Sequence, residues 1–501
     1  MNRKRIILAT IIWLFIAGIG SVITKLWIFP SQKKSLIENT SSSTQYKYEL
    51  HGSYDMFPGY APLRSEMMER LLREQSIKII WEDDKADYVS RSKKLLKNEI
   101  DITVFTLDAM ISSSLEIGEW PPSGTVILVI DQTKGADGLV SWKKSIGTIN
   151  DLNREDARFV ATPKSPSEFI SRIVVNQFNL PRLSSNFLIE ATGSKDVLSQ
   201  IKKYPNKPYV FALWEPELSQ ALSIDGVQCL LDSSKMDGLI VDALVVSRHL
   251  IASNPELVKL IAEAYLRTIY FYSENGMIDL IAKETGNKKE SERIVNGIQW
   301  ANTLDNFAYL GVITGTTHIE DMIIRISNIL TSTGSISKNI KGSENQLYYN
   351  ETLTQLKKEN FHPSRKSLLK DIGDGGVETV QAIEDLPLLT DAEWEKLFIV
   401  GNLKVNELEF SRGSSKINIQ SQRDLKDLAD NLTSFPAYYI FVIGNTVSGG
   451  DREANLNLAQ ERANVVNEYL QVLGISQNRL HTKAVIGNSS SVNFVFGGKT
   501  Y

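Results

Sequence analysis

A chain of 501 residues carries 55 Lys and Arg against 59 Asp and Glu, a formal charge of −4. That length exceeds one compact core and implies two or three domains. The balanced charge gives no basis for nucleic-acid binding. A lone cysteine, Cys229, rules out an internal disulfide and a four-cysteine zinc site. In the apolar run 227–231 it reads as a small buried hydrophobe.

The first element in chain order is a membrane segment. Arg3, Lys4 and Arg5 precede nineteen uncharged residues, Ile6 to Thr24, which as a helix span about 28 Å, close to a bilayer's hydrocarbon core. Lys25 is placed to snorkel, and Trp27 and Phe29 fall at the interface. No small-residue cleavage site follows. Residues 1–30 are therefore expected to be an uncleaved, single-pass anchor contacting the bacterial inner membrane through residues 6–28. The basic end stays in the cytoplasm, which puts the bulk of the chain in the periplasm. Ser-rich residues 31–44 read as a tether.

From residue 45 to 332 short apolar runs alternate with helical patterns. Candidate strands are Tyr46–Leu50, Ile77–Trp81, Asp101–Phe105, Thr125–Ile130, Arg158–Ala161, Tyr209–Leu213 and Ala243–Val246, with helices such as Pro62–Gln75, Pro166–Phe178 and Pro255–Tyr272. This alternation predicts an α/β domain with mostly parallel sheets, and two such sheets would account for its length. Residues 333–397 lose the pattern among Gly334, Gly342 and Gly373–Gly376. They read as a linker with short helices, one near Asn350–Lys358; a flexible stretch of about 55 residues averages roughly 40 Å end to end. The last part, 398–501, reads as strand Val405–Phe410, helix Gln422–Asn431, strand Tyr438–Ile443, helix Asn455–Leu473, and strands Leu480–Ile486 and Val492–Phe496. In its second helix Leu458, Ala459, Ala463, Val466, Leu470 and Leu473 share one face and belong to a core.

Several segments of the long domain carry a family resemblance. They are Gly59-Tyr60-Ala61, Asp108 in Phe105–Ala109, Asp131–Gly138, Trp214–Glu217, Asp237–Asp242, Gly297–Asn302 and Asp305-Asn306. In this order they resemble the periplasmic substrate-binding proteins of ABC transporters, in the nitrate/taurine/sulfonate and thiamine-precursor branch. The resemblance implies a type II, two-lobed α/β fold, a small-molecule solute between the lobes and an ABC permease as partner. In open α/β sheets ligands sit beyond the strand C-termini. Ser53, Tyr54, Tyr60, Thr106, Asp108, Gly135, Ala136, Asp137, Trp214, Glu215 and Asp242 are thus candidate cleft residues. Ser165 and Ser167 open a helix with Pro166, which suits either an anion site or plain capping with Glu168. Asp108, Asp131, Asp137, Glu215 and Asp242 suit a cation, an amine or a zwitterion instead, so the ligand class stays open.

No enzyme signature accompanies this. His51, His249, His318, His362 and His481 lack metal-ligand spacing, and neither a G-x-S-x-G elbow nor a phosphate-cradling G-x-x-x-x-G-K-[ST] occurs. No cofactor and no catalytic residue is expected.

Near the C-terminus, Gly444-Asn445-Thr446-Val447, Gly450, Asn455, Leu458 and Arg462-Ala463 resemble the peptidoglycan-binding core of OmpA-like domains, an α+β fold. The resemblance implies a wall-peptide pocket with Asn445, Asn455, Leu458 and Arg462, the arginine engaging a diaminopimelate carboxylate. Val447 stands where the family has the aspartate that holds the peptide's ammonium group, and Ser489-Ser490-Ser491 replace its Asn-Arg-Arg. Two roles remain: a weakened peptidoglycan clamp, or a docking and spacer module. The whole chain reads as an envelope solute-binding protein, with a non-transport scaffold or sensor as the alternative.

Overall fold

The computed structural model describes residues 46–273, 276–315, 317–364, 385–487 and 490–499. The expected anchor (1–30) and tether (31–44) lie outside them. Among the described residues no helix is long and apolar enough to cross a membrane.

The strands are β1 (Tyr48–Tyr54), β2 (Ile77–Asp83), β3 (Ile102–Thr106), β4 (Gly124–Thr133), β5 (Asp137–Trp142), β6 (Arg158–Ala161), β7 (Leu188–Glu190), β8 (Tyr209–Trp214), β9 (Val227–Asp232), β10 (Val241–Ser247) and β11 (Ile298–Trp300), then β12 (Phe398–Asn402), β13 (Tyr439–Val447), β14 (Leu480–Gly487) and β15 (Val492–Gly498). One sheet has the order β11-β4-β10-β3-β1-β2 and a second β7-β6-β8-β5-β9. Each is the centre of a lobe. The chain crosses between lobes from β4 to β5 and returns from β9 to β10.

Those two crossings correct the expectation of mostly parallel sheets. Only strands entered within a lobe run parallel, as in β1–β2, β1–β3, β6–β7 and β6–β8. A strand entered from the other lobe arrives in the reverse sense, so β10 is antiparallel to β3 and β4, and β5 to β8 and β9. Central β3, β4 and β10 are buried along their whole length, as expected of strands covered on both faces. Edge strand β2 is mostly half-exposed. The helix Pro255–Tyr272 starts where the Asn254 side chain accepts from the Leu257 N–H and Pro255 fits the first turn. The helix Ile319–Ser332 packs on both Leu107–Glu116 of the first lobe and Pro166–Gln177 of the second.

Residues 333–364 are not a free linker. Ile336, Ile340, Leu347, Leu353 and Leu356 are buried, and the chain at 347–349 adds to β4: Val126 N–H donates to Leu347 O, and Tyr349 N–H to Val126 O, both at 2.8 Å. The helix Glu351–Lys358 lies on Pro255–Tyr272, with Lys259 reaching Glu359 at 3.0 Å. Apolar residues spaced along a Gly- and Ser-rich stretch are what pack it down. At the other end Leu389, Trp394 and Leu397 are buried on the C-terminal body, where the Trp394 ring meets Tyr439, Phe441 and His481. Residues 365–384 lie outside the described residues.

The C-terminal body is a sheet of order β12-β15-β13-β14 covered by helices Ile419–Leu432 and Arg452–Val472. The expected strand Val405–Phe410 is absent: β12 lies earlier in the chain, and Phe410 makes a single bridge to Ile417. Residues 402–404 are instead drawn onto the second lobe. Asn179 N–H donates to Asn402 O (2.9 Å) and Lys404 N–H to Gln177 O (2.8 Å). The Phe178 ring meets Phe496 edge-on, 6.1 Å between centroids, and a Cβ on Gly401 would stand 2.5 Å from the Phe178 ring. At the hinge, Asp237 N–H donates to Ser434 O (2.9 Å).

Candidate functional site

The hinge crossings carry acidic residues at their ends. Asp131 lies near the end of β4, Asp137 begins β5, and Asp242 is the second residue of β10. Asp242 pairs with Asp131 on one side and Thr106 on the other, while Asp137 pairs with Trp214. An interlobe crevice results, lined from the first lobe by Asp55, Phe57, Tyr60, Tyr88 and Asp242 and from the second by Asp137, Pro166 and Trp214. Its free space is about 10 Å³, enough for about one water-sized group.

Charge here is unbalanced. Arg91, fully buried, places Nη2 2.5 Å from Asp84 and 3.3 Å from Asp55, donates to Val104 O, and lies over the Tyr88 and Phe105 rings. Glu168 is held by Arg172 at 2.5 Å, and Glu215 has Arg293 at 4.0 Å. No ion pair to Asp108, Asp131, Asp137 or Asp242 occurs among the described residues. The Tyr60 hydroxyl donates to Asp242. Asp131 lies beside Asp242 and Asp108 beside the Thr106 hydroxyl, each carboxyl steadied by that neighbour.

Burial and mutual repulsion act accordingly. Asp108 and Asp137 are each pushed up to about 7, first by burial; Asp137 is raised further by Glu215 and Asp55 and held back by the Thr133 hydroxyl. Asp131 and Asp242 are raised well above the usual carboxyl range, by burial and then, at Asp242, by Asp131 itself. The Tyr60 phenol is raised by burial and by Asp242.

Of the residues expected from the sequence, Tyr60, Asp137, Trp214 and Asp242 meet in the crevice. Thr106 and Asp108 are buried at the start of the helix Leu107–Glu116. Gly135 and Ala136 form the crossing: Gly135 adopts φ +124° and donates to Ser233 Oγ, and Ala136 O accepts from Glu215 N–H. Glu215 accepts from the Ser219 hydroxyl. Ser53 is turned into the sheet, 3.0 Å from the Thr103 hydroxyl, and Tyr54 packs edge-on against Trp81. Ser165 donates to Thr162 O (2.6 Å), and Ser167 Oγ accepts from Thr162 N–H (2.9 Å). Glu168 accepts from Lys164 N–H rather than closing a capping box on Ser165. Both hydroxyls are thus engaged within their own turn. Phe57, Tyr88 and Arg91 were not legible: each opens or rides an ordinary helical segment with no local signature. Cys229 is half-buried, its thiol 3.8 Å from Asp232.

In the C-terminal body, a Cβ on Gly444 would stand 1.9 Å from Ala459 O, so glycine lets the long helix lie against β13. Asn445 Nδ2 donates to Ile443 O (3.0 Å), and Asn455 Nδ2 to Gly449 O (2.6 Å), stapling the strand to the helix through its loop. Asp451 is the N-cap, accepting from Ala454 N–H at 2.9 Å, and so starts the helix earlier than expected. Leu458 is half-buried beside the core face. Arg462, 2% exposed, donates to Ser414 O (3.0 Å) and Ser490 Oγ (2.6 Å) and lies over the Phe410 ring. No carboxylate pairs with it among the described residues; Val447 is half-exposed at the end of β13.

Residues 409–493 match the OmpA family. The chain is 36% identical over 73 residues, 15% of its length, to peptidoglycan-associated lipoproteins of Brucella melitensis and Brucella suis. The chain spans 44% of the length of these curated relatives. Among solved structures, the alkanesulfonate-binding protein of Xanthomonas axonopodis bound to MOPS is 14% identical, covering 59% of this chain and 96% of that one, with a TM-score of 0.45. The periplasmic nitrate-binding protein of Synechocystis is 10% identical, covering 62% and 88%, with a TM-score of 0.47. The two sheets and the two crossings between them give residues 46–364 a two-lobed architecture.

Proposed function

We propose that this chain is a membrane-anchored extracytoplasmic solute-binding protein, with residues 46–364 and 385–499 as its folding units. The first unit captures a small molecule between its lobes for an ABC-type uptake system; the OmpA-type domain contacts the cell wall or another envelope component. The observation that carries the solute reading is the crevice at the strand tips, where Asp137 and Trp214 of one lobe face Tyr60 and Asp242 of the other. Such a site needs no covalent chemistry, because closure desolvates the guest among pre-placed polar groups.

A second reading, a tethered scaffold or sensor, is favoured by one specific observation. The OmpA-type domain is hydrogen-bonded to the second lobe at Gln177 and Asn179 and to the crossing between the lobes at Asp237, so it is fastened to the solute-binding unit at two places. A thermal-shift screen of the purified protein against amines, amino acids, sulfonates and pyrimidines separates the two. A captured solute at a hundredfold excess over Kd stabilises by about 2.7 kcal/mol. Melting curves that stay flat across the whole screen would leave the scaffold.

A further inference from the structure

We propose that the cavity between the OmpA-type domain and the solute-binding unit takes a zwitterion with an aliphatic body, an apolar amino acid or short peptide. Its carboxylate is received by Arg325 and Gln177 and its ammonium group by Asp321 and Asp430. The site lies outside the interlobe crevice and does not depend on solute capture there.

The cavity holds about 660 Å³, within the roughly 300–1,000 Å³ of small-molecule sites. Four pieces of chain wall it: the end of the helix Pro166–Gln177 in the second lobe, residues 237–239 leading into β10, the helix Ile319–Ser332, and the end of the helix Ile419–Leu432 with its following turn. Both bodies contribute, so the site is incomplete without either.

Two polar side chains in this wall make fewer bonds than their surroundings call for. Arg325 donates through Nη1 to Ser434 Oγ (3.1 Å) and Thr433 Oγ1 (3.4 Å), and through Nε to Asp321 O (3.3 Å). Its Nη2 donates to no oxygen, and no carboxylate forms an ion pair with it, among the described residues. Gly238, at φ +64°, leaves that edge uncovered: a Cβ there would stand 2.9 Å from Nη2. Burial lowers the guanidinium from its ordinary value. Gln177 is 5% exposed; its backbone oxygen accepts from Lys404, but its side-chain amide makes no hydrogen bond among the described residues. Unmet buried donors are costly, and a carboxylate meets a guanidinium through two parallel N–H bonds.

The acids in the wall select the class of guest. Asp237 is already held by Lys134 at 2.7 Å. Asp321 and Asp430 are exposed and in no ion pair among the described residues. Two free carboxylates repel a bare anion, and a bare cation leaves Arg325 without an acceptor. A zwitterion answers both signs. Asp321 stands one turn before Arg325 on the same helix, where such neighbours have Cβ atoms about 5–6 Å apart, a spacing suited to charges at two ends of a small molecule. Ile173, Leu239, Ile324 and Phe435 supply apolar wall for an aliphatic body.

The test is calorimetric titration of the full chain, purified in mild detergent, with leucine, leucyl-leucine and trileucine. Leucinamide, which lacks the carboxylate, and 4-methylpentanoate, which lacks the amine, are the controls. At least one zwitterion should bind, at least tenfold more tightly than either control, and the one that binds best gives the length of the guest. Arg325→Gln and Asn328→Trp should each weaken it at least tenfold. Asn328 is an exposed residue of the same wall, so a large ring there fills the cavity and leaves the guanidinium in place. Small-angle scattering checks that the two bodies stay docked, and where Arg325→Gln loosens them Asn328→Trp decides. Asp242→Asn, in the interlobe crevice, should change nothing. Zwitterion binding that survives Asn328→Trp but is lost in Asp242→Asn puts the guest in the crevice, which overturns this site and supports solute capture. Equal binding of either control overturns the two-ended recognition. Binding of none of the zwitterions overturns the proposal, and the wider solute screen still decides the capture reading by itself.

Discussion

Asp131 and Asp242 face each other across the β4–β10 pairing, each at most 1% exposed, with neither in an ion pair among the described residues. Two carboxyl groups so placed cannot both ionise cheaply. Together with Asp108 and Asp137 they make the interlobe region a store of protons that the unfolded chain does not hold.

Stability should therefore depend on pH in a definite sense. Asp108 and Asp137 titrate at about 7 in the folded protein, against ~3.9 when unfolded. A raised carboxyl contributes stability that is complete below the unfolded value and lost as pH rises through the folded one. Without added solute, the melting temperature should climb as pH falls from 8 to 5. The slope is up to about 1.4 kcal/mol per pH unit for each carboxyl. His481, lowered by burial and by Lys483, pulls the other way in this range, but it is one partly exposed imidazole against several buried carboxyls. Scanning calorimetry across this range checks it, and a falling melting temperature would contradict the raised carboxyls.

Arg91 has the opposite role. It is the buried cation that makes Asp55 and Asp84 tolerable. Replacing it by Met keeps most of the volume but strands two carboxyls, at a cost of about 3–5 kcal/mol. Urea unfolding should record that loss, and adding Asp84→Asn should recover part of it.

The contact between the two bodies turns on Phe178. It is 1% exposed, and its ring meets Phe496 of the OmpA-type domain. Phe178→Ala should cost about 3–5 kcal/mol as a large-to-small core change. Small-angle scattering should show a larger radius of gyration as the domain leaves the second lobe. Arg325→Ala, which removes a 3.1 Å bond to Ser434 at the same junction, should show the same expansion with a much smaller stability loss.

For the OmpA-type domain, binding to purified sacculi should be weak and should strengthen with Val447→Asp. A charged hydrogen bond is typically worth roughly 1.5–3 kcal/mol, or about tenfold to a hundredfold in affinity. Arg462→Ala should abolish what binding there is. Tight wild-type binding unaffected by Arg462→Ala would place the wall contact elsewhere.

Much of this architecture was legible because local physics dictates it. β4 and β10 are continuous apolar runs, and Asn254-Pro255 announces a helix by capping chemistry that needs no distant partner. The OmpA-type motif was equally readable, since Gly444 answers to a steric demand of its own strand and helix. Strand β5 was missed because it opens on Asp137-Gly138, which reads as a loop until β8 and β9 flank it. The 333–364 segment was missed likewise, because Leu347 and Tyr349 extend the sheet through bonds to Val126 more than 200 residues earlier in the chain.

The amino-acid order alone determined where apolar and acidic residues recur, and so the elements, the cation-rich N-terminus and the acids at strand ends. Only the tertiary structure decided which of those acids share a low-dielectric space. Ser53 and Asp242 are both buried and both occupy candidate positions, yet one bonds inside its sheet and the other faces the opposite lobe. The physical reason is that a carboxyl's charge depends on neighbours brought together by two hinge crossings, and sequence spacing carries no record of that distance.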